Sequence, residues 1–408
     1  MRTIHFCHLT DTHLGNRQYG LVERFDDYGE ALKNALEKIA ELSPDFVIHT
    51  GDLFDVSKPQ APELRQAVRL FQSLKDKEIP LYMSQGNHDV SYSKNKRYGG
   101  DILHFLADLD LFNYIQNNIV YFPSDEEPQV LLFALNYYGK RSGRVLQTFL
   151  KNYESELSSF DGPKILMLHA FVAGMPANKD LEIESFAKYG FDYVGVGHLH
   201  EKWENTNYNI YCPGSTEHTS TTEWAQPERG FYDVCITQNE NGTWKTQANF
   251  VEIPTREKVE VRHRFTSLSV QEIREEAEEI LLANDREGIV LKCVFFGEYK
   301  GKEHPFINLD KYKSTPKKCL HTIISTKFLP QEQEQEKHKP LSQRETYQRV
   351  LEGTYFLNPE ITDDFISLLE AGLGIIADGR VADQEELLDK QLTKFASRNK
   401  TTLLIKEV

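Results

Sequence analysis

Cysteine is scarce in this sequence, and what there is lies scattered. Cys7, Cys212, Cys235, Cys293 and Cys319 are odd in number and form no CxxC pair, which argues against a disulfide framework or a structural zinc site. Buried thiols in a cytosolic enzyme are expected instead. No stretch approaches the roughly 20 apolar residues needed to span a bilayer, so no membrane association is expected. The N-terminus shows no signal-peptide pattern and enters strand-like sequence at once, from Thr3 to Leu9. A Walker motif is also missing, so any ATP hydrolysis would have to come from a second chain. Basic residues are in deficit: 47 Lys and Arg against 62 Asp and Glu give a formal net charge of -15. So acidic a chain binds polyanions poorly at large, and nucleic acid contacts must come through local patches or metal ions.

The chain's 408 residues suit two to four domains at roughly 100–200 residues each. Apolar strand candidates are Ile4–Leu9, Phe46–His49, Leu81–Ser84, Val130–Leu135, Ile165–Leu168 and Tyr193–Val196. Between the first two, Leu32, Ala35, Leu36, Ile39 and Leu42 form a helical stripe. Beyond Val196 the pattern turns to strands, Ile210–Cys212, Phe231–Ile236 and Trp244–Val251, with Asn241-Gly242 as a hairpin turn. A mixed α/β sandwich of two sheets follows. Past Pro254, strands Val259–Phe265, Ile289–Phe296 and Ile323–Phe328 and an acidic helix Val270–Leu282 predict a smaller α+β domain. The polar run Gln331–Glu336, flanked by Pro330 and Pro340, reads as a linker. Ser342-x-x-Glu345 is then a capping box ahead of Tyr347, Val350 and Leu351. Further apolar stripes at Ile361–Leu369 and Leu387–Phe395 suit either a small helical bundle or a module that docks another chain.

Five motifs carry chemistry: Asp11-Thr12-His13, Gly51-Asp52-Leu53-Phe54-Asp55, Gly86-Asn87-His88-Asp89, His169 and Gly197-His198-Leu199-His200. Each follows an apolar strand candidate or sits at its end, and in α/β folds the carboxyl ends of the strands gather the ligand sites. Carboxylates, imidazoles and an amide without thiolates suit Mn²⁺, Fe²⁺ or Zn²⁺. The donors suffice for two ions if one carboxylate bridges, and such a pair binds phosphate, acidifies a trapped water and stabilises in-line displacement. Any one motif arises by chance, and a lone strand-end histidine is more often structural. The ordered set of five is what separates the chain from that background.

In this order, D-x-H, G-D-x-x-D, G-N-H-D, a lone H and G-H-x-H resemble the calcineurin-like metallophosphoesterases. More closely, the chain resembles the SbcD and Mre nuclease family. That likeness adds Leu14-Gly15, Pro59, Leu166-Met167-Leu168, Tyr211-Cys212-Pro213-Gly214-Ser215 and Gly230-Phe231-Tyr232. It covers about Met1 to Phe328. It implies an α/β (α+β) fold: a four-layer metallophosphoesterase β-sandwich flanked by helices, a small α+β capping domain and a C-terminal helical segment. The expected boundaries are 1–253 for the nuclease domain, 254–329 for the DNA-binding cap, 330–341 for a linker and 342–408 for the helical, ATPase-docking segment.

The resemblance further implies one metal held by Asp11, His13, Asp52 and His200, and another by Asp52, Asn87, His169 and His198, most commonly Mn²⁺. His88 matches the family's catalytic histidine, which binds the phosphate and protonates the leaving oxygen. Asp89 is expected to orient a neighbour. Asp55 stands where archaeal and eukaryotic members commonly have histidine and SbcD-type members aspartate, and it too is expected to orient a ligand. The implied activity is exonuclease and endonuclease cleavage of DNA at ends, hairpins and single-stranded regions. The implied partners are a coiled-coil ABC (SMC-like) ATPase and a second copy of the chain, in the cytoplasm or on the nucleoid. Candidate DNA contacts are Lys94, Lys96 and Arg97, and Lys317 and Lys318 in the cap. Lys140, Arg141 and Arg144 form a further basic cluster. The rival functions are a small-molecule phosphodiesterase or phosphatase with the same site, and a non-catalytic scaffold that tethers DNA ends.

Overall fold

The computed structural model describes residues 2–90, 101–267, 269–331, 342, 344–348, 362–370, 390 and 393. Lys94, Lys96, Arg97, most of the polar run after Pro330 and the stripe at Leu387–Phe395 lie outside the described residues. The chain divides into two compact units, Met1–Leu329 and Pro330–Val408.

The first unit begins β1 (Thr3–Leu9), α1 (Val22–Leu42), β2 (Phe46–His49), α2 (Ala61–Lys75), β3 (Leu81–Met83), α3 (Ile102–Asp108) and β4 (Asn113–Tyr114). It continues through β5 (Asn118–Phe122), β6 (Val130–Leu135), α4 (Ser142–Asn152), α5 (Glu154–Ser159), β7 (Lys164–His169) and α6 (Glu184–Ala187). Next come β8 (Tyr193–Gly197), β9 (Trp203–Asn205), β10 (Ile210–Cys212), β11 (Gly230–Gln238) and β12 (Trp244–Glu252). These strands build two six-stranded sheets, ordered β12-β11-β1-β2-β3-β4 and β5-β6-β7-β8-β10-β9. Strands β1 to β4 run parallel, as do β6, β7, β8 and β10. The hairpin joining β11 to β12 turns at Asn239–Thr243, with Gly242 at φ 84°.

Alternation within single strands explains the layers. In β6, Val130, Leu132 and Ala134 face the space between the sheets, while Leu131, Phe133 and Leu135 pack under α4, α5 and α6. In β2, Phe46 and Ile48 face the same inter-sheet core, and Val47 packs under α1 and α2. A strand buried on both faces reads as an unbroken apolar run. Helix, sheet, sheet and helix therefore stack as four layers, the sandwich expected from the sequence. A polar pair crosses the inter-sheet core: His8 Nδ1 meets the Tyr193 hydroxyl at 2.8 Å and its Nε2 meets Thr50 Oγ1 at 2.9 Å.

After β12, a separate three-stranded sheet is made of β13 (Lys258–Arg264), β14 (Val290–Tyr299) and β15 (His321–Pro330), with α7 (Val270–Ala283) and α8 (Leu309–Lys313). It has its own core around Phe265, Ile273, Leu281, Phe295 and Phe306. Buried and part-buried ionic contacts tie it to the sandwich. Arg256 forks onto both carboxylate oxygens of Asp27 at 2.6 Å each. Lys258 Nζ meets Glu217 Oε1 at 2.5 Å, and Arg24 joins the same oxygen at 3.2 Å. Tyr19 stacks on His321, with centroids 4.2 Å apart.

In the second unit the capping box forms: Ser342 N–H donates to Glu345 Oε2 at 2.7 Å, and Glu345 N–H to Ser342 Oγ at 3.3 Å. Arg344 pairs with Asp363 and Glu370 across to the helix at 362–370.

Candidate metal centre

The ligand candidates sit where parallel strands end. Asp11 and His13 follow β1, Asp52 follows β2, Asn87 and His88 follow β3, His169 closes β7, and His198 and His200 follow β8. The two sheets meet at this edge. Asp11 accepts from the His198 N–H at 3.0 and 3.2 Å, and His169 Nδ1 donates to the Thr50 carbonyl at 2.8 Å. Four of these residues hold the left-handed backbone region: Asp11 (φ 50°), His13 (φ 44°), Asp52 (φ 55°) and His198 (φ 92°). Strain of that kind concentrates at functional sites. The turns also need room, since a Cβ on Gly86 would collide with Asp52 Oδ1 and its backbone nitrogen.

His13 Nε2 and His200 Nε2 face each other at 3.1 Å, with Asp11 Oδ1 3.8 Å from His200 and 3.9 Å from His13. Asp52 Oδ2 lies 3.9 Å from His13 Nε2 and 3.3 Å from His169 Nε2. His169 Nε2 in turn meets Asn87 Oδ1 at 3.0 Å, and Asp52, His169 and His198 form a second group of clustered donors. Two ligands of a cation bound at about 2.1 Å stand no more than about 4.2 Å apart, so the spacings around Asp11, His13 and His200 and around Asp52 and His169 fit ion binding. Asp52 Oδ2 is buried without a hydrogen-bond partner, a costly state that a cation at Asp52 relieves. The residues fit a divalent metal site.

The charges are tuned by burial and by one another. Burial pulls His13 and His198 below the ordinary imidazole value, His198 to about 3, and a neighbouring histidine adds to each shift. His169 rises to about 9, because Asp52 outweighs its burial. Asp52 is held well below the carboxylate range: its burial is overcome by His169 and His13.

Asp89 is a scaffold for this loop. Its carboxylate accepts the N–H groups of Asp52 (2.9 Å), Leu53 (3.1 Å), Phe54 (3.3 Å) and Gly86 (3.0 Å). Asp55 Oδ1 takes the Asn16 amide at 2.8 Å and stands 3.9 Å from His13 Nδ1, too far to orient that ring by a hydrogen bond. Its backbone carbonyl instead meets His88 Nδ1 at 2.6 Å, so it is the main chain of Asp55 that orients a histidine. The His88 N–H donates to Asp52 Oδ1 at 2.8 Å. His88, Asp52, Asn87, His198 and His200 line a cavity of about 380 Å³, together with Phe171 and Glu223.

Sequence reasoning missed several neighbours. Phe171 and Tyr137 pack on the His198 ring at 4.1 and 5.3 Å. Thr219 and Glu223 back His200, and only the spacing of a polar loop after Gly214 could have hinted at them. Lys317 and Lys318 are exposed in the turn before β15, where their N–H groups bind Asp285. One more donor cluster, His5, Cys7 and Asp233, lies on paired strands β1 and β11. There His5 Nε2 already pairs with Asp233 at 2.6 Å, and burial followed by the Asp233 charge keeps the Cys7 thiol protonated.

Fold and site together define a calcineurin-like phosphoesterase, and the model of that family matches residues 4–202. The chain is 30% identical over 332 residues to the DNA double-strand break repair protein Mre11 of Methanocaldococcus jannaschii, covering 79% of this chain and 84% of that one. Mre11 of Methanococcus maripaludis is 31% identical over 56% of this chain and 62% of its own length. Mre11 of Saccharolobus solfataricus is 33% identical over 50% and 51%. The chain belongs to the Mre11 family and is a metal-dependent phosphodiesterase.

Proposed function

We propose that the chain is a two-ion, manganese-dependent DNA exonuclease and endonuclease that acts at breaks, ends and hairpins, a reading in keeping with relatives named as DNA double-strand break repair proteins. The observation that carries this reading is the thiol-free set of donors gathered around Asp52 at one edge of both sheets. Asp11, His13, Asp52 and His200 would hold one ion, and Asp52, Asn87, His169 and His198 the other. Bound there, the ions supply the positive charge that holds a phosphodiester and acidifies a water molecule. His88 does the remaining proton work. With Nδ1 committed to the Asp55 carbonyl, Nε2 is left for the substrate, and an imidazolium there protonates the leaving oxygen.

Residues 1–253 would be the nuclease domain and 254–329 a cap that contacts DNA through Lys317 and Lys318, with Lys94, Lys96 and Arg97 as further contacts. A linker at 330–341 would then lead to a segment, 342–408, that docks a coiled-coil ABC-type ATPase. A second copy would pair through the groove of about 970 Å³ between α1 and α2. That groove carries Asp26, Glu30 and Glu37 on one wall, the last two paired with Lys33, and Arg65 and Arg69 on the other.

The deciding experiment compares manganese-dependent cleavage of a labelled DNA hairpin with cleavage of a chromogenic phosphate bis-ester. Hairpin cleavage that the ATPase stimulates supports the proposal. Turnover of the bis-ester alone would move the chain to small-molecule chemistry, and no turnover of either would leave a tethering role.

A further inference from the structure

His200 differs from the other candidate ligands in what stands behind its ring. His169 Nδ1 is backed by the Thr50 carbonyl. His200 Nδ1 is backed by Thr219 Oγ1 at 2.6 Å and by the carboxylate oxygen Oε1 of Glu223 at 3.2 Å.

The hydrogen bonds fix the direction of the Thr219 proton. Thr219 donates its hydroxyl to Glu223 Oε1 at 2.5 Å, and its N–H to Oε2 at 2.9 Å. Ser220 Oγ donates to Oε1 at 3.1 Å and Arg229 to Oε2 at 3.3 Å. With its proton committed to Glu223, the Thr219 oxygen offers only lone pairs to His200. The Nδ1 nitrogen must therefore carry the proton, which leaves Nε2 bare on the side of Asp11 and His13. Arg229 also donates to the His200 carbonyl at 3.1 Å, so one buried guanidinium holds both the carboxylate and the backbone of the ligand it supports. A carboxylate behind a ligand imidazole raises its basicity as well as orienting it.

We infer that Glu223, acting through Thr219, is a positioning residue that tightens the ion site of Asp11, His13 and His200. This rests on the two-ion reading above, and the test separates the two. Manganese binding is followed by calorimetry on the full chain stripped of metal, with the electron spin resonance of the bound manganese as a second readout. In Glu223→Gln and in Thr219→Val, one ion is expected to bind 10- to 100-fold more weakly while the other is unchanged. At limiting manganese, the spin-coupled pair signal should give way to that of an isolated ion. Thr219→Val leaves the Glu223–Arg229 pair in place, so it serves where the charge-removing variant fails to fold. His200→Asn is the reference. If His200→Asn loses one ion while Glu223→Gln and Thr219→Val bind both as the wild type does, the positioning role is wrong and the ligand reading stands. Retention of both ions by His200→Asn would remove both.

Discussion

At the scale of single residues, the proposed reaction divides the work between His88 and the candidate ligands. His88→Gln removes the proton from Nε2 while the donors around Asp52 stay in place. Cleavage should fall by about 10²- to 10⁴-fold, the usual worth of a general acid, with metal content by elemental analysis unchanged. Persistent cleavage would exclude the role given to His88. The candidate ligands were legible in the sequence because each is a polar group at the end of an apolar run, where strand order makes distant motifs converge. Glu223 and Thr219 were not legible. They sit in a loop of ordinary polar composition, Thr219-Ser220-Thr221-Thr222-Glu223, and only the fold shows that Glu223 is buried rather than solvated. The role of Asp55 lies in its carbonyl, and a main-chain acceptor has no signature in side-chain identity.

Elements reveal a different balance. Strands buried on both faces, such as β2, β6 and β7, announce themselves as continuous apolar runs, and so the four-layer sandwich followed from the sequence. The edge strands β5 and β9 do not. β5 is half-exposed at one margin, and β9 at the other spans only Trp203–Asn205, too short and too polar to stand out. The loop that leads from β10 to β11 has a consequence for acid stability. Burial would raise the Glu217 carboxyl, but the His218 side chain, Lys258 and Arg24 outweigh it and hold it far below the ordinary value of 4.5. The stability this confers is present above pH 4.5 and is lost as pH falls below it, because the unfolded chain then takes up the proton first. Glu217→Gln should cost about 3–5 kcal/mol at neutral pH by stranding the buried Lys258 ammonium, while Arg24 keeps its pair with Asp27. Its unfolding free energy should also vary less with pH below 4.5 than that of the wild type, as urea titrations at a series of pH values will read.

For the whole molecule, net charge and local charge work against each other. In the proposed function, a chain of charge -15 would approach DNA through its exposed lysines. Charge reversal of Lys317 and Lys318 together should weaken duplex binding and reduce the slope of log K against log salt by about 1 to 2, since each phosphate no longer neutralised takes away about 0.9. An unchanged slope in fluorescence titrations would exclude the pair. The sandwich brings its own consequence, because the donors come from the carboxyl ends of two different sheets. An ion seated among them is a clasp between the layers as well as a reagent, and neither sheet can unfold without releasing it. Chelation should therefore lower the melting temperature of the entire first unit in one transition. Each ion present at 100 times its dissociation constant is worth about 2.7 kcal/mol. Heat resistance thus becomes a gauge of how much divalent metal the surroundings supply.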